Sequence, residues 1–93
     1  MILATFPVAG LQYHAGIAYA DAINENDELQ LVREPTNAHD SQAVMVFHMG
    51  IQLGYLPRPV NQIALALKVA GWEITAEAEH SGSANVVLKG EPA

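Results

Sequence analysis

The polar residues best suited to chemistry lie in one short segment between two apolar runs. The segment, Arg33–Val44, reads REPTNAHDSQAV and contains Asn37, His39 and Asp40. An imidazole can stack or titrate near neutral pH, and a carboxylate can accept hydrogen bonds from a hydroxyl group. The same residue types also build rigid turns, since Pro35 fixes its own φ angle and Asn or Asp side chains bond to nearby amides. The segment alone therefore leaves a structural turn and a binding loop equally open.

The chain lacks the patterns of nucleophilic catalysis and nucleotide binding. It has no cysteine, no G-x-S-x-G elbow and no glycine-rich phosphate loop. Ser41 follows Asp40 directly, but neighbours in sequence diverge, so the ordinary role of this serine is to cap a turn. A metal-dependent hydrolase built from His14, His39 and Asp40 is the remaining enzymatic alternative, and the spacing of the histidines does not support it. We therefore predict a non-enzymatic protein with no metal and no cofactor.

One aromatic residue is well placed to bind a flat ligand. Tyr13 stands in Gly10–His14, just after a predicted strand, where aromatic side chains are often partly exposed. If folding brings Tyr13 opposite an imidazole, the two rings can hold a base between them, and each stacking contact contributes about 1–3 kcal/mol. Tyr13, Tyr19 and Tyr55 each also have the simpler interpretation of core residues.

The charge balance restricts the classes of partner. Four Lys and Arg against ten Asp and Glu give a net charge of −6. The four cations are scattered along the chain, whereas non-specific duplex binding requires several clustered cations. Contact with one or two phosphates remains open. No apolar run approaches the ~20 residues of a membrane span, and the amino-terminal residues lack the basic start of a signal peptide, so we expect a cytoplasmic protein without a membrane partner.

Hydrophobic patterning predicts the elements that must position these residues. We expect one domain over residues 1–93, with 51% hydrophobic residues forming its core. Alternation and turn signals predict strands at Ile2–Gly10, Glu28–Arg33, Ala43–His48, Ile51–Leu56, Trp72–Glu79 and Asn85–Lys89. Helical spacing predicts helices at Ala15–Ile23 and Val60–Ala70. The sum is a mostly β (α+β) chain, and closing its sheet into a small barrel would protect the strand edges.

Two features of the sequence refine this prediction. Gly54, inside a strand pattern, indicates a bulge or a close backbone approach. In the second predicted helix, Val60, Ile63, Ala64 and Leu67 would form the buried face.

Three motifs resemble the HIRAN domain in order and spacing. They are VAGLQY at Val8–Tyr13, LVREPTNAHDSQAV at Leu31–Val44 and LGYLPR at Leu53–Arg58. The resemblance extends from about Phe6 to Gly71, and it implies a six-stranded barrel similar to an oligonucleotide-binding (OB) fold, with two short helices. In eukaryotes the domain is fused to remodelling ATPases, where it captures the 3′-hydroxyl end of single-stranded DNA during replication-fork reversal in DNA repair.

The resemblance implies a role for each matching residue. Tyr13 and His39 would stack on the terminal nucleotide, and Asp40 would accept a hydrogen bond from its 3′-hydroxyl. Asn37 would hold the loop or contact the nucleotide, and Tyr55 would reach a phosphate.

The remaining motif positions surround this pocket, and some depart from the DNA-binding relatives. Gln12, His14 and Arg58 would line its rim. Gln12 stands where those relatives have an arginine that meets phosphate, His14 replaces a second aromatic, and His39 replaces a tyrosine. These departures and the acidic composition predict weak binding to single-stranded DNA. They also leave open the alternative that the domain is a protein-interaction or regulatory module that has lost DNA binding.

Overall fold

The computed structural model describes residues 1–93. Six strands, one α-helix and two 3-10 helices follow one another along the chain. The strands are β1 Ile2–Pro7, β2 Glu28–Arg33, β3 Val44–His48, β4 Ile51–Tyr55, β5 Trp72–Ala78 and β6 Asn85–Pro92. The α-helix α1 covers Val60–Val69, and the 3-10 helices cover Leu11–Tyr13 and Ile17–Ala22.

The strands form a single antiparallel sheet in the order β1-β6-β5-β2-β3-β4. The sheet curls until its two edge strands approach each other, and an isolated bridge between Ala9 and Tyr55 joins them. Each of these residues donates its N–H to the other's carbonyl at 2.9 Å. We call this bridge the seam. The curled six-stranded sheet confirms the predicted mostly β, barrel-like fold.

The seam explains why β1 is shorter than the predicted strand Ile2–Gly10. The chain pairs with β6 as far as Pro7, and Val8 still donates its N–H to the carbonyl of Ala84 at 3.0 Å. At Ala9 the chain changes partner and pairs with β4. The pairing of β3 with β4 also shifts register next to Gly54, and a Cβ atom at Gly54 would collide with the Ala9 carbonyl. The predicted bulge or close approach at Gly54 is confirmed.

The first predicted helix is a six-residue 3-10 helix rather than a longer segment over Ala15–Ile23. Gly16 has a φ angle of 88°, outside the helical region, so the helix cannot begin before Ile17. Tyr19 holds this element against the sheet, because its hydroxyl hydrogen-bonds Nδ1 of the buried His48 at 3.0 Å. The other ring nitrogen of His48 lies 2.8 Å from Asp27. No helix of the structure has the length and hydrophobicity that crossing a bilayer requires.

The second predicted helix is confirmed in position, and its predicted buried face is right for Val60 and Ala64 but wrong for Ile63. Ile63 is 52% exposed, whereas Asn61 and Ala64 are buried and Val60 and Leu65 pack on the core. The helix is rotated toward Asn61 because the amide of that residue has hydrogen-bond partners inside. The core comes from every strand, from α1 and from the connecting segments, and it consists of Phe6, Val8, Ile23, Leu29, Val44, Val46, Leu53, Leu56, Ala64, Ala76, Ala78, Val86 and Leu88.

Candidate nucleic-acid interface

Asn37 organises the loop between β2 and β3. Its side-chain oxygen accepts the backbone N–H groups of His39 at 2.8 Å and Asp40 at 3.0 Å. Its side-chain nitrogen donates to Oε1 of Glu34 at 2.7 Å. Such Asx turns replace missing backbone pairing and restrict a loop to one conformation. The loop is therefore held in shape from within, before any ligand is considered.

Asp40 is the most heavily hydrogen-bonded carboxylate of this loop. Its Oδ1 accepts the Gln42 N–H at 2.9 Å, and its Oδ2 accepts Arg58 Nε at 3.0 Å and Asn61 Nδ2 at 2.9 Å. The Gln42 amide is the largest cause that lowers the Asp40 pKa below its usual value; Arg58 and Asn61 lower it further, and partial burial opposes them. Asp40 is therefore held ionised, with its oxygens fixed in direction.

Glu34 and Tyr55 form a second pair beside Asn37. The Tyr55 hydroxyl donates to Oε1 of Glu34 at 2.8 Å and lies 3.5 Å from the Asn37 amide nitrogen. Hydrogen bonds from Asn37 and then Tyr55 lower the pKa of Glu34. The same carboxylate raises the pKa of Tyr55, and burial adds to that rise. Tyr55 thus carries a neutral hydroxyl that points into the loop.

The first 3-10 helix reaches the same loop through Tyr55. The His14 ring lies edge-on to the Tyr55 ring, with ring centroids 5.4 Å apart and planes at 72°. Tyr55 is also half of the seam, so its backbone fixes the chain just before this helix. Tyr13 is 81% exposed, and Gln12 is also exposed. The helix therefore presents Tyr13 and Gln12 to solvent. Tyr55 holds the chain on both sides of this helix, through Ala9 before it and His14 after it.

We call the set Glu34, Asn37, His39, Asp40, Tyr55, Arg58 and Asn61 the loop cluster. Among the site residues predicted from sequence, the structure joins Asp40 to Arg58, Asn37 to Tyr55 and His14 to Tyr55. It does not bring the rings of Tyr13 and His39 into contact. Arg58 also donates to the backbone carbonyl of His39 at 3.3 Å. This bond does not involve the imidazole ring of His39, which is exposed.

Two members of the loop cluster escaped the sequence prediction. Glu34 is not among the site residues predicted from the sequence, although it lies only three residues before Asn37, whose side-chain amide donates to it. Asn61 lies outside the predicted buried face of α1, and the apolar pattern of the helix does not indicate that this residue is buried. No group of three or more His, Asp or Glu side chains is arranged to hold a metal ion, and His14, His39 and Asp40 form no such group.

Comparisons with known proteins identify one family by sequence and two similar folds. The sequence profile of the HIRAN domain matches residues 3–79. The crystal structure of the HIRAN domain of human HLTF is similar, with a TM-score of 0.70 and 21% identity over 94% of this chain and 74% of that one. A crystal structure of a protein from Lactobacillus plantarum has a TM-score of 0.76 and 23% identity, over 95% of this chain and 91% of that one. No curated protein matches the chain in sequence.

Proposed function

Because the chain belongs to the HIRAN domain family, we propose that it is a non-enzymatic module that binds single-stranded DNA at its 3′-hydroxyl end. The ligand contacts the loop cluster together with Tyr13, Gln12 and His14. The terminal 3′-hydroxyl donates to Asp40, and the terminal nucleotide stacks on Tyr13 and His39.

The observation that carries this proposal is the state of Asp40. An ionised carboxylate accepts about four hydrogen bonds, and Asp40 accepts three from the protein. Oδ2 accepts two of these bonds and Oδ1 accepts one, so the remaining acceptor position is on Oδ1. A free 3′-hydroxyl is a donor that an internal phosphodiester lacks, so a fixed carboxylate with one open acceptor position distinguishes an end from a continuing strand. A 3′-phosphate would meet this carboxylate with like charge.

The exposure of the proposed stacking groups also supports a ligand. A tyrosine that is 81% exposed has little packing role in the fold. Base stacking on such a ring is tolerant of sequence, as an end-binding module requires. His39 is exposed on a loop that Asn37 holds rigid, so binding would cost little ordering of the loop.

Electrostatics limits the affinity. Arg58 is the single cation of the loop cluster, and its Nε already bonds Asp40. Each neutralised phosphate of a single strand contributes a slope of about −0.7 to log K against log salt. We expect a slope near this single-phosphate value, much shallower than that of a basic DNA-binding domain.

The direct test compares two labelled oligothymidylates that differ only in a 3′-hydroxyl or a 3′-phosphate, by fluorescence anisotropy at low salt. We expect the hydroxyl form to bind more tightly, because Asp40 accepts a hydrogen bond from the 3′-hydroxyl and repels the 3′-phosphate. Equal affinities, or no binding of either, would contradict end recognition and favour the protein-binding alternative.

Two variants locate the site in the same assay. Tyr13→Ala should weaken binding roughly tenfold, as the loss of one stacked base implies. Met49→Ala removes an equally exposed side chain from the far end of the β3–β4 hairpin, so its affinity should match that of the parent chain. Asp40→Asn keeps an acceptor oxygen but loses the charge. This variant should reduce the difference in affinity between the 3′-hydroxyl and the 3′-phosphate oligonucleotide. A purely structural role of Asp40 would not produce that change.

A further inference from the structure

Strands β2 and β5 are paired at one end only. Their register comprises Glu28–Glu77 and Leu29–Ala76, whereas β2 continues to pair with β3 as far as Arg33. Beyond Leu29 the two strands separate, and the second half of β2 has no strand partner on the β5 side. The sheet therefore contains an internal cleft with two unpaired strand edges, and no residue of the loop cluster lines it.

The backbone groups on these edges can be identified from the neighbouring bonds. Glu34 donates its N–H to Ala43, on the β3 side. Because alternate residues of a strand direct their backbone groups to opposite sides, the N–H groups of Leu31 and Arg33 point into the cleft. Ala78 donates its N–H to Asp27, toward β2. By the same alternation, Ile74 directs its backbone toward β2.

The cleft is large and of mixed character. It has a volume of about 670 Å³, within the range of ligand-binding cavities. Helix α1 covers part of it with Ala64 and Leu65, and Leu31 and Ile74 add further apolar surface. Its only cations, Arg33 and Lys68, are both exposed and also line an adjoining hollow beside α1.

These two cations differ from the other two in the chain. Arg58 lies 3.0 Å from Asp40, and Lys89 lies 2.8 Å from Glu77. Neither Arg33 nor Lys68 has a carboxylate within the 4.0 Å that defines an ion pair. In a chain with net charge −6, the two uncompensated positive side chains therefore share one cleft, where they would complement an anionic group.

We propose that this cleft binds an extended peptide segment of a partner protein, which adds a strand along β2 and places acidic side chains next to Arg33 and Lys68. Unpaired strand edges supply the main-chain hydrogen bonds of such strand addition, and the apolar wall accepts alternate side chains. A nucleic-acid strand fits less well, because Glu28 and Glu77 line the closed end of the cleft and would repel a continuous phosphate backbone.

The test uses a capped hexapeptide of alternating valine and glutamate, titrated into the ¹⁵N-labelled protein and followed by NMR and amide hydrogen exchange. We expect shifts at Leu31, Arg33, Ile74 and the facing residues of α1, with slower exchange of the Leu31 and Arg33 amides. No shifts at these positions at millimolar peptide would overturn the proposal. Shifts without slower exchange would also overturn it, because they would mean a side-chain contact without strand pairing.

Three further ligands separate the components of the interaction. A peptide of alternating valine and lysine should not bind, and the glutamate peptide with alternate N-methylated backbone nitrogens should bind weakly because it cannot pair as a strand. Equal binding of either to the parent peptide would contradict the proposal. An oligothymidylate should leave the cleft amides unshifted, and shifts there would identify a nucleic acid as the occupant instead.

Matched variants test the two cations. The double change Arg33→Ala and Lys68→Ala should weaken peptide binding roughly fivefold or more, from the loss of two surface ion pairs. Arg58→Ala removes a positive charge outside the cleft and should leave peptide affinity unchanged. Both side chains of the double variant are exposed, so its melting temperature should stay close to that of the parent protein. A loss of affinity shared by all variants would show that only net charge matters, and would refute the assigned site.

Discussion

Asn61 shows how one buried amide connects a helix to a loop. The residue is 1% exposed, and its side-chain nitrogen donates to Asp40 Oδ2 at 2.9 Å and to the Gln42 carbonyl at 3.0 Å. Both partners are acceptors, which fixes the orientation of the amide, because the reversed orientation would place its oxygen against them. Its Oδ1 has no hydrogen-bond partner. Asn61 therefore sets the position of Asp40 rather than filling space in the core.

We predict that Asn61→Ala destabilises the protein by about 1–3 kcal/mol, because two acceptors lose a buried donor. Urea unfolding measures this change. Gln62→Ala, at the neighbouring exposed position of the same helix, serves as the control and should alter stability by less than about 0.5 kcal/mol. Equal effects at the two positions would mean that the hydrogen bonds of Asn61 contribute nothing.

The sequence indicated part of the loop cluster because local chemistry decides that part. Asn37 and Asp40 bond to amides two or three residues away, and such short-range bonds can be inferred from residue types. The bonds from Asn61 to Asp40 and from Tyr55 to Glu34 join residues 21 positions apart. They depend on how α1 and β4 pack, which periodicity alone does not determine.

At the scale of elements, the approach of β1 to β4 depends on the absence of a side chain at Gly54. A Cβ atom there would overlap the carbonyl of Ala9 and approach the Val8 side chain. Backbone cannot move aside as a flexible side chain can. The strand edges could then separate only by breaking the seam.

We predict that Gly54→Ala destabilises the fold by about 3 kcal/mol, at the upper end of typical overpacking costs. Gly50→Ala is the matched control. Gly50 has a φ angle of 82° with open space around it, so alanine there pays only the backbone cost of about 1–2 kcal/mol. Thermal or urea unfolding of both variants measures the difference. A Gly54 variant no less stable than the Gly50 variant would mean that the seam tolerates a side chain.

The strands were easier to predict than the registers of the helices. The alternation of apolar and polar residues predicts a strand at Trp72–Glu79, and the observed strand β5 is Trp72–Ala78. The prediction is accurate because one face of that strand packs on the core. In α1 the apolar residues lie on more than one side, and Asn61 decides which side turns inward. A polar residue with buried partners thus overrides the hydrophobic pattern of a short helix.

For the whole molecule, three carboxylates link stability to pH. Hydrogen bonds lower the pKa values of Asp27, Glu34 and Asp40, the first chiefly through the Asn24 amide with help from His48. A carboxylate with a lowered pKa in the folded state binds protons more weakly than in the unfolded chain. Its contribution to stability is present above the unfolded value and is lost as the pH falls through the folded value.

We therefore predict that the melting temperature falls as the pH drops below the ordinary values of 4.5 for Glu34 and 3.8 for the aspartates. Calorimetry from pH 7 to pH 3 measures the melting temperature as a function of pH. Asp40→Asn should flatten part of this dependence. A melting temperature that rises on acidification would contradict the assigned sign.

The seam has a consequence for the kinetics of folding. It joins Ala9 and Tyr55 from opposite halves of the chain, so the intervening residues must lose their loop-closure entropy before its two hydrogen bonds can form. We expect these contacts to be absent from the folding transition state. Weakening the seam should then accelerate unfolding and leave the folding rate nearly unchanged. Because Tyr55 is also part of the loop cluster, the lifetime of the folded barrel and that of the ordered loop should depend on the same residue.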